Sequence, residues 1–457
     1  MTTQQQWRRP KAECRMNTRT EYGRRAAWGL LFAFCILHSA LAAQPLPPAP
    51  KPNLVIVVLD DAGVDKLRCY GIGCDAPELP VIEGLAAQGL LCRHAYASPL
   101  CTSTRAMLQT GRYGFRTGMG TVIAVWPSTT EYDLPLSEIT IPERLGRYAC
   151  GIAGKWHLAT MISGGIQAPL NQGWDAFDGT MVNLDYAAQT GYTDWLHVQN
   201  GATFVDHSYA TTVEIDAAIA MAQSLPQPFV LLVALSAPHH PWHYPPAGLY
   251  SVPLSGNPDA NPPAFFNAAL QAADSELARL LAVLPANTVG FLLGDNGTPG
   301  EAMCGPFDPT QEKGTVYEGG VRVPLIVWGA GVTPGVCDAL IHAPLDIYAT
   351  TVRLGGYTGG LGDGVSLQPY LANPNHAPLR NSIYVELFKP NGLAVNRTQY
   401  DKAVLDGHWK LIRHLPQAPD ELYDLASDPY EAIDLAADGL DAGEQAIVNQ
   451  LETLWPN

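Results

Sequence analysis

Four stretches of the chain are continuously apolar and rich in β-branched residues: Asn53–Leu59, Pro228–Leu235, Thr288–Leu293 and Val323–Trp328. Runs of this kind, with no polar alternation, mark strands buried on both faces. A weaker run, Ala149–Ala153, follows the helix-like Ile141–Tyr148, and helical spacing recurs over Leu79–Gly89 and Ala264–Leu284. Strands alternating with helices predict an α/β fold with a mostly parallel central sheet flanked by helices on both faces. Beyond residue 381 the texture changes. Short strand-like pieces (Ile383–Phe388, Ala403–Leu405, Trp409–Ile412) succeed one another through turns, and a helical pattern closes the chain near Gly443–Leu454. They predict a smaller C-terminal subdomain containing an antiparallel sheet.

The front end has a different character. Arg24 and Arg25 precede the apolar stretch Ala26–Ala43, which only His38 and Ser39 interrupt and which ends in Ala40-Leu41-Ala42-Ala43. A basic flank, an apolar centre and a small-residue exit describe a signal peptide. The alternative is a retained anchor, since a stretch of this length can just span a bilayer. The expected organisation is a leader over 1–43, a Pro-rich linker over 44–52, a main α/β domain over 53–380 and the small subdomain over 381–457. Cleavage would leave an exported protein, periplasmic or secreted, with no stable membrane association.

Composition narrows the partners. Of 457 residues, 47% are hydrophobic and 15% charged, which excludes disorder as the main state. The formal net charge is −16, and the first 43 residues hold seven basic against two acidic side chains, so the remainder is more acidic still. Such a surface repels phosphate backbones and excludes nucleic acid as a partner. An anionic substrate would need a locally positive pocket. Seven cysteines lie beyond the leader, an odd number that leaves at least one thiol unpaired; Cys69 and Cys74 could form a local disulfide or be two free thiols.

In open α/β sheets, ligands bind beyond the carboxyl ends of the strands. The residues that follow the buried runs are Asp60 and Asp61, then Lys155 and His157, then His239, His240 and His243, then Asp295 and Asn296. Three carboxylates and an amide oxygen form an all-oxygen set suited to calcium or magnesium. Taken singly, each pair reads as a turn or a cap; together on one rim they favour a metal site. The segment Pro99-Leu-Cys101-Thr-Ser-Thr-Arg105 adds a nucleophile. Thr102 and Ser103 are natural N-caps, which would stand Cys101 at a helix entrance, where N–H groups favour anions. Arg105 would lie one turn further on the same face.

Seven segments, in order, resemble the sulfatase family of the alkaline-phosphatase-like superfamily. They are PNLVIVVLDDAG (52–63), PLCTSTRAMLQTGRY (99–113), GIAGKWHL (151–158), APHHP (237–241), LLGDNGTPGE (292–301), KGTVYEGGVRVP (313–324) and ELYDLASDPYE (421–431). The resemblance implies an arylsulfatase-like hydrolase of sulfate monoesters, acting on a small-molecule or glycan substrate. It implies that Asp60, Asp61, Asp295 and Asn296, completed by position 101, hold one divalent cation, calcium with magnesium as the alternative. Cys101 would be oxidised to formylglycine by a maturation enzyme. Arg105 would hold the hydrated aldehyde, Lys155 and Lys313 would bind sulfate oxygens, and His157 would take a proton from the hydrate. His239 would protonate the leaving alcohol, with His243 a rival because both fit a His-x-Pro pattern.

One departure stands out, in that Ser103 replaces the Pro or Ala usual in the modification motif. A permissive maturation enzyme, partial conversion or no conversion would each fit, and the first is the expectation here. Two other functions share the same residues: a phosphonate or phosphate diester hydrolase, and a non-catalytic metal- and anion-binding protein in which Cys101 stays a thiol. The segment Tyr192–His207 could line the substrate entrance or be a plain surface loop, and Asp424 and Asp428 are expected as turn and cap residues.

Overall fold

A computed structural model describes residues 51–124, 126–185, 191–393, 395–416 and 418–456. The leader 1–43 and most of the linker lie outside the described residues. The apolar run at the start of the main domain is β1 (Asn53–Leu59). Its odd and even positions part to opposite faces: Leu54, Ile56 and Val58 join one core, while Val55, Val57 and Leu59 join another. That division is why the run shows no polar alternation.

Around β1 the chain lays down α1 (Pro80–Gln88), β2 (Leu90–Tyr96), α2 (Cys101–Thr110), β3 (Ala149–Lys155), β4 (Ala176–Thr180), β5 (Trp195–Gln199) and β6 (Ala202–Asp206). Then follow α3 (Ala210–Ser224), β7 (Phe229–Ala234), α4 (Pro262–Leu281), β8 (Thr288–Gly294), β9 (Leu325–Gly329), β10 (Gly335–His342) and α5 (Ala343–Leu354). The strands form one ten-stranded sheet in the order β10-β2-β9-β8-β1-β7-β3-β4-β5-β6. Helices α2 and α5 supply side chains to the core on one face, and α1, α3 and α4 to the core on the other.

The sheet is mostly parallel, with a difference at β9. That strand, whose apolar run reads like its parallel neighbours, pairs antiparallel to both β8 and β2. Burial on both faces sets its composition, and strand direction leaves no mark on it. The stretch Tyr192–His207 is largely the hairpin β5–β6 at the sheet edge rather than a plain loop. Helix character near Ile141 ends at Arg144, earlier than its sequence pattern suggests.

The C-terminal sheet is fully antiparallel, in the order β11 (Ile383–Lys389), β12 (Gln399–Leu405), β13 (Trp409–Leu415) and β14 (Glu421–Asp424). Helix α6 (Ala442–Glu452) packs Val448 and Leu451 against Val404, Leu411 and Leu422. Asp424 accepts from the Ala426 and Ser427 backbone and Asp428 from that of Ile433, so both are turn residues. Among the described residues, no helix is long and apolar enough to cross a membrane. Cys74 pairs with Cys304 across a Cα–Cα distance of 5.7 Å, and Cys69 is a free thiol. A local Cys69–Cys74 bridge is therefore ruled out, because the partner comes from the distant loop after β8.

Candidate active site

Register brings the acidic residues together. Leu59 at the end of β1 lies opposite Gly294 at the end of β8, so Asp60 and Asp295 leave the sheet side by side. The Asp295 N–H donates to Leu59 O at 3.2 Å, and the Asp61 N–H donates to Asp295 Oδ1 at 3.0 Å. Asp61 takes a left-handed backbone, φ 75°, unusual for a residue with a side chain. Asn296 Nδ2 donates to Asp61 Oδ1 at 2.9 Å. All four side chains are fully buried.

Three cations face this cluster. Lys155, at the end of β3, bonds Asp60. Arg105 Nη2 donates to Asp295 Oδ2 at 2.9 Å and lies 3.4 Å from Asp60, while its Nη1 donates to Lys155 O. Lys313 Nζ donates to Asp61 Oδ2 at 2.7 Å. Burial pushes the Asp60 carboxyl up, but Lys155, His239 and Arg105 together hold it below the ordinary carboxylate value. Asp295 is pushed up to about 7 by burial and then by Asp60. For Lys313, burial opposes the charge, and Asp61 and Cys101 more than restore it, so its pKa rises.

Cys101 is the first residue of α2 and is buried. The helix entrance differs from the expectation: Leu100 occupies the cap position and no side chain caps it. Thr102 and Ser103 fall inside the helix, where Thr102 Oγ1 accepts from the Ile123 N–H and Ser103 Oγ has no partner. The local tie comes from Thr104, whose Oγ1 accepts from the Ser98 N–H at 3.0 Å.

His157 Nδ1 lies 3.3 Å from Cys101 Sγ, and its Nε2 lies 3.2 Å from Ile123 O. A carbonyl only accepts, so Nε2 carries the proton and Nδ1 faces Cys101 as a base. Burial, then Lys155, lowers the His157 pKa and keeps the ring neutral. Burial also pushes the Cys101 thiol up, so an unmodified Cys101 would be a poor thiolate.

His239 donates from Nδ1 to His240 O at 2.6 Å, which turns Nε2 toward the cluster, 3.7 Å from Asp61. The rival His243 sits elsewhere. Its ring stacks on Tyr192 at 3.8 Å, and its nitrogens are engaged by Pro241 O and Tyr209 Oη. His240 pairs with Asp185 at 3.1 Å. Asp60, Asp61, Cys101, Arg105, Lys155, His157, His239, Asp295, Asn296 and Lys313 thus converge on one rim, and His243 does not join them.

Asp60 Oδ1 and Asn296 Oδ1 are buried with no hydrogen-bond partner among the described residues. Unpartnered buried oxygens are costly unless something positive meets them. Asp60, Asp295 and Cys101 can each offer an atom within 4.8 Å of the others, as can Asp60, Asp61 and His239. The oxygen-rich donor set fits a hard divalent cation. Sequence reasoning missed Glu214, which lies behind His239, and Asp65, whose Oδ1 accepts from Thr298 Oγ1 at 2.7 Å; it named Tyr192 only as the start of a possible substrate entrance, whereas Tyr192 Oη bonds the His239 carbonyl. Their signal was weak, because none of them follows a strand directly.

The family model described as Sulfatase matches residues 52–357, and that described as N-sulphoglucosamine sulphohydrolase, C-terminal, matches 307–454. Arylsulfatase A of Homo sapiens is 30% identical over 463 residues, covering 87% of this chain and 85% of its own length. N-acetylgalactosamine-6-sulfatase of Homo sapiens is 28% identical over 370 residues, covering 71% of this chain and 66% of its own. The solved structure of Ps i-CgsB in complex with k-i-k-neocarrahexaose shares the fold, with a TM-score of 0.71 at 23% identity over 88% of this chain and 92% of its own.

Proposed function

The chain belongs to the sulfatase family and is a sulfuric ester hydrolase, and from that premise we propose how this chain carries out the reaction. Cys101, oxidised to formylglycine by a maturation enzyme that accepts Ser103, is the nucleophilic position. Asp60, Asp61, Asp295 and Asn296, with position 101, hold one divalent cation, calcium with magnesium as the alternative. The observation that carries this reading is the pair of orphaned buried oxygens, Asp60 Oδ1 and Asn296 Oδ1, in a cluster that includes Cys101.

A hydrated aldehyde at position 101 would supply one oxygen to attack sulfur and a second hydroxyl whose proton loss lets sulfate depart. A bound cation would offset the negative charge of the sulfate oxygens. The remaining steps fall to side chains. Each ammonium of Lys155 and Lys313 has three donors and spends at least one on Asp60 or Asp61, so the others can grip sulfate oxygens. Arg105, tied to Asp295 and to Lys155 O, keeps its unpartnered Nε for the hydrate. His157 Nδ1 faces position 101 and receives its proton. His239, its Nδ1–H held by His240 O, acts as the acid in its doubly protonated form, taking its second proton from solvent and delivering it from Nε2 to the departing alcohol oxygen.

The named relatives point to a glycan sulfate as substrate, since one acts on N-acetylgalactosamine 6-sulfate by its name. The basic and apolar leader at 1–43 supports export to the periplasm or the medium. The test is mass spectrometry of the Cys101 peptide from exported protein, alongside hydrolysis of aryl and sugar sulfates. An aldehyde in place of the thiol is the expected result. Full activity from protein whose Cys101 remains entirely a thiol would overturn the nucleophile assignment.

A further inference from the structure

Behind His239 stands a buried polar network with no part in the steps above. Tyr192 Oη lies 2.7 Å from both Ser236 O and His239 O, so its one proton is shared between two carbonyls of the same turn. The His239 N–H donates to Ser236 O at 3.1 Å and closes that turn. Glu214, on the first half of α3, clamps its other end: Oε2 accepts from the Ser236 N–H at 3.0 Å and Oε1 from Ser236 Oγ at 2.6 Å. Tyr192 is itself anchored, because its carbonyl accepts from the Ala210 N–H at the start of α3 and His243 stacks on its ring. Glu214 is fully buried, and Tyr192 and Ser236 are almost so.

A carboxylate buried beneath a buried turn has a desolvation cost, and an apolar side chain would fill the same space without it. Both ends of the network bear on the His239 turn, which is also tied to the rim through Ala237 O, the acceptor of the Asp60 N–H at 3.1 Å. We propose that Tyr192, Ser236 and Glu214 are positioning residues that hold the His239 turn so that Nε2 meets the departing alcohol oxygen. They do not touch substrate. His239 Nδ1 is already committed to His240 O, so the ring has no freedom to correct a shifted backbone. Displacement of the turn moves Nε2 directly. This inference rests on the assignment of His239 as the leaving-group acid.

That role has a signature that general structural support lacks. An acid matters least for a leaving group that is stable as an anion and most for one that is basic. The experiment uses matured enzyme, normalised to its aldehyde content, with a series of aryl sulfates from 4-nitrophenyl sulfate to unsubstituted phenyl sulfate. The plot of log kcat/KM against leaving-group pKa is compared for wild type, His239→Ala, Tyr192→Phe and Glu214→Gln. His239→Ala should steepen the slope. Tyr192→Phe and Glu214→Gln should give slopes between the two, with phenyl sulfate slowed about tenfold and 4-nitrophenyl sulfate less than about twofold.

Tyr192→Phe removes one oxygen and keeps the ring stack, so it remains informative if Glu214→Gln fails to fold. Wild-type slopes for Tyr192→Phe, or uniform slowing across the series, would overturn the brace while His239→Ala still steepens the plot. An unchanged slope for His239→Ala would overturn the acid assignment itself, and the brace with it.

Discussion

Two buried clusters in this protein are built from the same chemistry, lysines bracketed by carboxylates, yet they differ in completeness. In the C-terminal cluster, Lys410 Nζ lies 2.8 Å from Glu431 Oε1 and 3.1 Å from Glu318 Oε1. The other two oxygens are met as well: Glu431 Oε2 accepts the Glu318 N–H at 2.5 Å and Glu318 Oε2 accepts Tyr96 Oη at 3.2 Å. Three of the four carboxylate oxygens accept a hydrogen bond, and the fourth, Glu431 Oε1, makes none but lies against the Lys410 ammonium; the cluster ties the Glu318 segment to the antiparallel sheet. At the rim, by contrast, Asp60 Oδ1 and Asn296 Oδ1 have no hydrogen-bond partner among the described residues. The first arrangement is closed and structural; the second keeps two oxygens free for the cation proposed above. Burial alone would not have told them apart, because both sets of side chains are hidden from solvent.

That contrast can be broken from either side. Asp295→Asn removes charge from the open cluster, and sulfate ester hydrolysis should fall at least about a thousandfold. Thermal unfolding of the metal-free protein should change far less, because the asparagine amide oxygen can still accept from Arg105 Nη2 or from the Asp61 N–H. A large loss of stability with activity retained would mean that the open cluster is structural after all. Lys410→Met should behave oppositely. It leaves Glu318 and Glu431 facing one another without the ammonium between them, and urea unfolding should show a loss of about 3 kcal/mol.

Calcium added to the metal-free protein at about a hundred times its dissociation constant should stabilise the wild type by about 2.7 kcal/mol. Calorimetric scans should show no such gain for Asp295→Asn. A smaller effect concerns pH and lies outside both clusters. His414, bonded to Asp401 at 2.8 Å and Glu421 at 3.2 Å, is pushed up to about 9 from 6.5 by those two carboxylates. A folded-state pKa above the unfolded one gives stability that is full below 6.5 and lost as pH rises through about 9. Denaturant curves over that window should lose roughly 2 kcal/mol in the wild type, allowing for solvent screening, and much less in His414→Gln.

The parts of the fold that were legible are those where burial writes composition directly. The run Asn53–Leu59 forms a strand over those same residues, and the run at Thr288 extends only one residue further. Strand β2 escaped notice because Arg93 and His94 interrupt its apolar positions, and β10 because Asp338 breaks the run near its register shift. The ligand candidates were legible because strand ends collect them on one rim. Tyr192 and Glu214 were not, since a tyrosine in a connecting segment and a glutamate in a helix carry no local mark of what lies behind them.

What the sequence determined by itself was the class of chemistry: the doubled aspartates, the Asp-Asn pair, Cys101 with Arg105, and the buried runs that space them. These follow from side-chain type and local periodicity, which need no knowledge of distant contacts. Tertiary structure decided the rest. It chose Cys304 over Cys69 as the partner of Cys74, and His239 over His243 as the histidine that joins His157 on the rim. It also left two buried oxygens open at one cluster and met all four at the other, three with hydrogen bonds and Glu431 Oε1 with the Lys410 ammonium. Such choices depend on which groups from remote segments arrive within hydrogen-bond distance, and packing, rather than local sequence, sets that arrival.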